Sequence, residues 1–240
     1  MERNLLYSYV NNGVNEFVFS GIKFADFIEL IPNKISNMLI LKGDFLSLKH
    51  LPALNLSVVE SAVNIIKLSA EDLYNQGDFH FVDYEKTENA QNLSKEELFS
   101  LLYLAHTAAP LDSPFYDTLN NQYTYLSHDD GWWCKIYSRD ERDMIELFVA
   151  KIVSMAECFL NEKLSATNAD IKQKIYCYMQ KGLLVDFGNI GKSKPLSIPM
   201  YITGEIENID DIYNTKDYKK QYSFIGDFVF TDDAWRLCDN

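Results

Sequence analysis

The residues of this 240-residue chain that could do chemistry gather at His128, Asp129 and Asp130, just before Gly131 and two tryptophans. Imidazole and carboxylate groups are ligands for divalent metals, and a bound metal can activate water for hydrolysis. The same residue types also suit a binding surface, because Trp and Tyr combine a large apolar area with a polar handle. The cluster therefore indicates a metal-dependent hydrolase, a site for a ligand or partner, or ordinary turn residues beside two tryptophans that helices cover.

The stretch from Gln122 to Ser138 predicts a β-hairpin, because an Asp-Gly turn signal separates two strand-like runs. With a two-residue turn at Asp130-Gly131, His128 lies opposite Trp133. Alternation divides the side chains between two faces of the hairpin. One face carries Tyr125, Ser127, Trp132 and Ile136, and the other carries Leu126, His128, Trp133 and Tyr137.

His106, His128 and Asp129 carry a distant resemblance to HD-type phosphohydrolases, which pair an upstream histidine with a His-Asp doublet and a later Asp. The resemblance implies that these three residues would take the first three ligand positions of a hydrolytic metal centre. The doublet of that family lies in a helix, whereas the doublet here precedes the predicted turn. Metal-dependent hydrolysis through His106, His128, Asp129 and Asp130 is therefore the alternative interpretation.

Two other motifs do not support nucleotide chemistry. The run from Gly188 to Ser193 ends in Gly-Lys-Ser. A phosphate loop with this ending needs a glycine at position 186, which is Asp here, and a following helix, which Pro195 would interrupt. Asp186-Phe187-Gly188 matches the metal-binding triplet of kinases. The region over 158–172 contains no histidine for the catalytic loop that must accompany that triplet.

The chain carries 22 Lys+Arg against 35 Asp+Glu, which gives a net charge of -13, and its hydrophobic content is 47%. This content excludes an intrinsically disordered chain. The charge argues against binding of nucleic acid or of an anionic membrane by a basic surface. No signal sequence or membrane-spanning run is visible, so we expect a cytoplasmic protein, and scarce arginine indicates a bacterial or phage source.

Acidic residues concentrate over 71–97, 205–211 and 232–233, close to aromatic residues. Such charge can steer a basic partner toward aromatic anchors. Our lead interpretation is a non-enzymatic cytoplasmic protein, immunity-like or antitoxin-like in composition, that binds a basic protein and needs no catalytic residue, metal or cofactor. A small-molecule-binding protein is a further alternative, and the oligomeric state stays open. The candidate contact residues are Tyr125, His128, Asp129, Asp130, Trp132, Trp133 and Trp235.

The elements that must position these residues are hairpins and helices in mixed order, which predicts an α+β fold. We expect antiparallel hairpins packed with about four to five helices, in a single domain over 1–240 whose strand-rich segment from about 183 packs on the rest. The predicted elements are a hairpin over 5–19, helices over 24–31, 140–160 and 167–181, and strands over 38–41, 79–84, 196–202 and 222–230.

The capping-box pattern Ser-x-x-Glu occurs at Ser57–Glu60 and at Ser94–Glu97, and it predicts a helix start at each place. The first of these helices would include Val58 and Val59 in its apolar stripe. Asp143 is assigned to the polar side of the long helix. Gly182 is assigned to a helix C-cap, because glycine adopts the left-handed conformation there without steric cost.

Overall fold

The computed structural model describes residues 4–42, 49–51, 56–71, 78–128, 131–188, 190, 195–206, 212 and 218–240. The chain divides into two compact units. Unit 1 comprises Met1–Ile22 and Arg142–Asn240, and unit 2 comprises Lys23–Glu141. The expected single domain stays a prediction. Within the described ranges, no helix is both long enough and apolar enough to cross a membrane.

Strands and helices are interspersed along the chain. The strands are β1 (Leu5–Asn11), β2 (Glu16–Ser20), β3 (Asn37–Lys42), β4 (Lys49–Leu51), β5 (Leu56–Glu60), β6 (Phe79–Asp83), β7 (Tyr123–His128), β8 (Trp133–Ser138), β9 (Leu183–Asp186), β10 (Leu196–Ile202), β11 (Ser223–Thr231) and β12 (Ala234–Asp239). The helices are α1 (Phe24–Leu30), α2 (Ala62–Ser69), α3 (Thr87–Gln91), α4 (Lys95–Thr107), α5 (Glu141–Leu160), α6 (Ala169–Met179) and α7 (Tyr218–Gln221).

Unit 2 contains antiparallel strands in the order β8-β7-β6-β3-β5-β4. On one face, Phe24 and Phe27 of α1 pack against the rings of Phe81 and Tyr125. On the other face, leucines of α4 join one core cluster with strand residues. Its members include Leu39, Val82, Leu101, Leu104, Leu126 and Tyr137. Because both faces are covered, β6 is buried along its whole length.

Unit 1 contains antiparallel strands in the order β12-β11-β10-β9-β1-β2. Helix α5 packs on this sheet through Phe148, whose ring stacks with Phe19 at a centroid distance of 5.9 Å. Near the other end, Trp235 stacks on Phe228 at 4.3 Å, and its indole N–H donates to the Ser165 carbonyl at 2.9 Å. Apolar packing therefore ties the edge strand β12 to the unit.

The α+β class is confirmed, and several elements form where the sequence predicts them. The β7–β8 hairpin pairs His128 with Trp133, as the Asp-Gly signal predicts. Helix α4 begins with the predicted capping box, in which Ser94 N–H donates to the Glu97 carboxylate at 3.0 Å and Glu97 N–H donates to the Ser94 hydroxyl at 3.1 Å. The structure is richer in strands than expected, and its described helices outnumber the predicted four to five.

The predicted helix start at Ser57–Glu60 is wrong, because this segment lies in β5. Val58 pairs with Leu39 of β3, and β-branched side chains pack well on a pleated sheet. The following helix instead begins after Ser61, whose hydroxyl accepts the N–H of Asn64 at 3.5 Å.

The expected exposure of Asp143 is also wrong, since this residue is buried in the first turn of α5. The unpaired backbone amides and the helix dipole favour a negative charge at this end of a helix. An acidic side chain is therefore compatible with burial there, and polarity alone does not decide which face of a helix it occupies.

Gly182 has a backbone requirement that other residues cannot meet. Its φ is +76°, and an added Cβ would overlap the carbonyl oxygen of Gly204. The same stretch is fixed by backbone hydrogen bonds, with Thr203 N–H donating to the Gly182 carbonyl at 2.9 Å. Gly204 also has positive φ but open space around it, whereas Gly13 has neither constraint.

We expect Gly182→Ala to lower the free energy of unfolding by about 2–4 kcal/mol, because left-handed strain and a backbone clash add together. Gly204→Ala should cost only the strain, about 1 kcal/mol, and Gly13→Ala close to none. Urea denaturation of the three variants measures this order. Equal losses for Gly182→Ala and Gly204→Ala would show that the clash is relieved at no cost.

Asp83 links the stability of unit 2 to pH. Its carboxylate accepts the N–H groups of Gln122 at 3.0 Å and Tyr123 at 2.6 Å. Burial nevertheless raises its pKa from about 3.8 to about 7, outweighing these hydrogen bonds and the Arg139 charge. At a pH between these two values, the folded state therefore holds a proton on Asp83 that the unfolded state releases.

We expect stability to fall as pH rises from about 4 to about 7, since the folded-state pKa is the higher one. Asp83→Asn keeps an oxygen acceptor but removes the titration. The wild type should lose roughly 1–4 kcal/mol relative to this variant across that range. Chemical denaturation at several pH values measures the difference, which cancels the other titrating groups, and a flat difference would contradict the assignment.

Candidate metal centre

Strand pairing brings three metal-ligating side chains of unit 2 together. His80 lies opposite Leu126 in the β6–β7 pair, and His128 is two residues farther along β7. Residues two apart in a strand share a face, so His80 and His128 are diagonal neighbours on one side of the sheet. Asp78 lies two residues before His80, immediately before the first residue of β6.

The three side chains form a compact group. One ligand atom from each of Asp78, His80 and His128 lies within 4.8 Å of the others. His128 Nδ1 is 3.6 Å from Asp78 Oδ2. The rings of His80 and His128 meet edge to face, with centroids 5.1 Å apart and an interplanar angle of 70°.

His80 is fully buried, and neither of its ring nitrogens makes a hydrogen bond of good geometry with a described residue. A buried polar group without a partner costs about 1–3 kcal/mol, so such a group calls for an explanation. The backbone carbonyl of Ala105 in α4 is near enough to favour a proton on the ring slightly. Metal-binding histidines commonly direct their second nitrogen at such a carbonyl.

Burial also sets the protonation state of His80. It lowers the pKa of the imidazole to about 4, and the charges of His128 and Lys42 act in the same direction. Asp78 and the Ala105 carbonyl oppose this shift without cancelling it. His80 is therefore neutral at physiological pH, which is the form that donates a lone pair to a metal.

Asp78 provides the anionic ligand of the group. Burial by itself would raise the pKa of Asp78, but a hydrogen bond from Lys42 and the charges of His128, Lys42 and His80 outweigh burial and lower the pKa. Lys42 Nζ lies 2.8 Å from Asp78 Oδ2. The side chains of Asp78 and His128 are 30% and 26% exposed, so the group is accessible from solvent on one side.

Two imidazoles and one carboxylate are a donor set found at catalytic zinc and non-haem iron sites. Zinc bonds of about 2.0–2.1 Å in a tetrahedron place ligand atoms ~3.3 Å apart. The ligand atoms lie within 4.8 Å of one another, so the contraction needed is at most roughly 1.5 Å. Side-chain rotation of the two partly exposed ligands can supply a contraction of this size.

The structure places the predicted site residues near this group in different surroundings. His128 belongs to it, and Asp129 and Asp130 lie outside the described residues. Trp133 is buried opposite His128 at the start of β8. Trp132 is partly buried, and the Lys23 ammonium lies over its ring, 4.4 Å from the ring centroid.

The remaining predicted residues lie elsewhere. Tyr125 is fully buried among the rings of Phe24, Phe27 and Phe81. Trp235 is buried in unit 1. His106 is exposed in the last turn of α4, outside the group of three ligands. The structure therefore brings only His128 of the predicted residues into the candidate centre, within the part of the chain it describes.

Asp78 and His80 were not among the residues proposed from the sequence. A signal for them exists, because Asp78 immediately precedes the predicted strand over 79–84, and period-two alternation extended by one residue places Asp78 and His80 on one face. That pattern becomes informative only when the partner strand is known, since the third ligand comes from β7.

Comparison of the chain with protein-family models, curated proteins and solved structures finds no match.

The ring of His80, which makes no hydrogen bond of good geometry with a described residue, leads to a stability prediction. We expect His80→Leu to raise the free energy of unfolding by about 1 kcal/mol or more in the presence of a chelator, because an apolar side chain of similar size removes the desolvation cost. Urea denaturation measures this change. His106→Leu at an exposed position is the matched control and should stay within about 0.5 kcal/mol of wild type. A less stable His80→Leu variant would show that the ring is satisfied in solution.

Proposed function

We propose that this protein binds a divalent transition metal, zinc foremost, through Asp78, His80 and His128, in a centre of the type that activates water for hydrolysis. The observation that carries the proposal is the fully buried His80, which has no hydrogen-bond partner of good geometry among the described residues and lies beside two further ligands. A bound metal would compensate for the desolvation cost of the His80 imidazole, because it would accept the lone pair of one ring nitrogen. Hydrolysis remains part of the proposal because three protein ligands leave a coordination position for water.

The donor set also determines which ions should bind. Imidazole suits zinc, copper, nickel and iron, whereas magnesium requires an octahedron made mainly of oxygen ligands. Asp78 is the single carboxylate of the described group. We therefore infer selectivity for zinc and its surrogate cobalt over magnesium.

The partner-binding interpretation stays a prediction. Burial of Trp133 and Trp235 removes their rings from the surface of their units, and Tyr125 is equally inaccessible. These residues would need local rearrangement before they could anchor a basic protein. The metal proposal requires no such rearrangement beyond the rotation of two partly exposed side chains, which is why it takes precedence.

Zinc binding should follow a one-to-one stoichiometry in isothermal titration calorimetry, after removal of metal with a chelator. Zinc at 100 times its Kd should stabilise the fold by about 2.7 kcal/mol, since it binds the native state. Magnesium should give no heat and no stabilisation. A wild-type protein that binds no zinc would refute the proposal.

Removal of a ligand should weaken zinc binding by at least ~100-fold, because changes in the outer shell alone already cost 10–100-fold. The variants are Asp78→Asn, His80→Leu and His128→Asn, with His106→Asn as the matched control that keeps wild-type affinity. His80→Leu is the decisive variant, since it is expected to fold more stably than wild type. Unchanged zinc affinity in His80→Leu would exclude this residue as a ligand.

A further inference from the structure

Lys42 stands beside the candidate metal ligands through the register of the sheet. In the β3–β6 pair, Lys42 is opposite His80, and directly paired residues place their side chains on the same face. Its ammonium contacts Asp78 Oδ2 at 2.8 Å, and 46% of its side chain is exposed. The charged end of Lys42 therefore lies at the solvent-accessible side of the group, where a ligand would enter.

The net charge of these described groups changes from neutral to positive when a metal binds. Without metal, the Asp78 carboxylate and the Lys42 ammonium, 2.8 Å apart, neutralise one another. A divalent cation on the same carboxylate leaves two uncompensated positive charges among these described groups. The metal and Lys42 also repel each other across a few ångströms, so the ammonium is expected to turn away from Asp78 toward an anion.

We propose that Lys42 and a metal held by Asp78, His80 and His128 together bind a tetrahedral dianion, the group presented by inorganic phosphate or a phosphate monoester. The inference rests on the proposed function, because the metal supplies one of the two contacts. Three protein ligands leave a coordination position that one oxygen of the anion can occupy. The lysine ammonium, a compact charge with three donors, suits a second oxygen.

The charge balance favours a dianion over a carboxylate. A phosphate group carries about -1.5 to -2 charges at pH 7, which matches the two uncompensated positive charges. A carboxylate would neutralise only one of them. The acidic net charge of the chain, -13, disfavours anions in general, so an anion site requires such a local concentration of positive charge.

The test compares wild type with Lys42→Met in two titrations with opposite expected outcomes. Cobalt affinity should rise about tenfold in Lys42→Met, because removing a neighbouring cation relieves repulsion. Affinity of the cobalt-loaded protein for inorganic phosphate, followed through the visible absorption bands of the metal, should fall about tenfold or more. Lys42→Arg should retain phosphate binding, since it keeps the positive charge.

Lys163→Met is the matched control, because Lys163 contacts the Glu157 carboxylate at the same distance of 2.8 Å in unit 1. It should change neither titration. Circular dichroism verifies folding, and Lys42→Gln replaces Lys42→Met if the latter does not fold. Phenyl phosphate and acetate are titrated in parallel to separate free phosphate, a phosphate ester and a carboxylate.

Each result supports or overturns at least one of the two proposals. Wild-type protein that binds no cobalt overturns the metal centre and the anion site with it. Cobalt binding together with unchanged phosphate affinity in Lys42→Met overturns the role of Lys42 and leaves the metal centre standing. Acetate binding as tight as that of phosphate overturns the assignment to a dianion. Loss of phosphate binding in Lys42→Met, with retention in Lys42→Arg, supports the inference.

Discussion

Burial of β6 on both faces is the constraint on which the rest of unit 2 depends. Phe79 and Phe81 pack with α1 on one side, while Val82 joins the cluster beneath α4 on the other. His80 lies on that second side and is shielded from water as completely as its apolar neighbours. The same packing that stabilises the sheet therefore creates the desolvated imidazole, and the cost of the site is inseparable from the stability of the core.

The ligands differ in how freely they can move, and the difference follows from their places in the sheet. His80 lies within a paired and fully buried strand, so its position is fixed. Asp78 lies just before β6 and His128 ends β7, and both side chains are partly exposed. A metal would therefore find the nitrogen of His80 already in place, whereas the two partly exposed ligands would have to move toward it. Rigid placement of even one ligand lowers the ordering cost of binding.

Local sequence signals predicted the elements but not the way they assemble. The Asp-Gly signal predicted the register of His128 against Trp133 correctly, because hairpin pairing involves neighbouring residues. The Ser-x-x-Glu pattern was right at Ser94 and wrong at Ser57, where pairing with β3 overrides the local preference for a helix start. Pairing of β6 with β7 spans α3 and α4, and no local periodicity specifies a partner that distant. His80 and His128 could therefore each be noted in the sequence without being placed together.

The acidity of the chain explains the candidate centre less well than ligand chemistry does. A net charge of -13 raises the concentration of cations near the surface, but salt screens this effect over about 10 Å and it does not discriminate among ions. At the centre itself, Lys42 offsets the carboxylate of Asp78, so charge offers a divalent cation little net attraction. Affinity must then come from the lone pairs of two imidazoles, one of which is neutral because it is buried. The apolar layer beneath α4 thus acts on the chemistry directly, since it keeps His80 unprotonated and, among the described residues, without a hydrogen bond of good geometry.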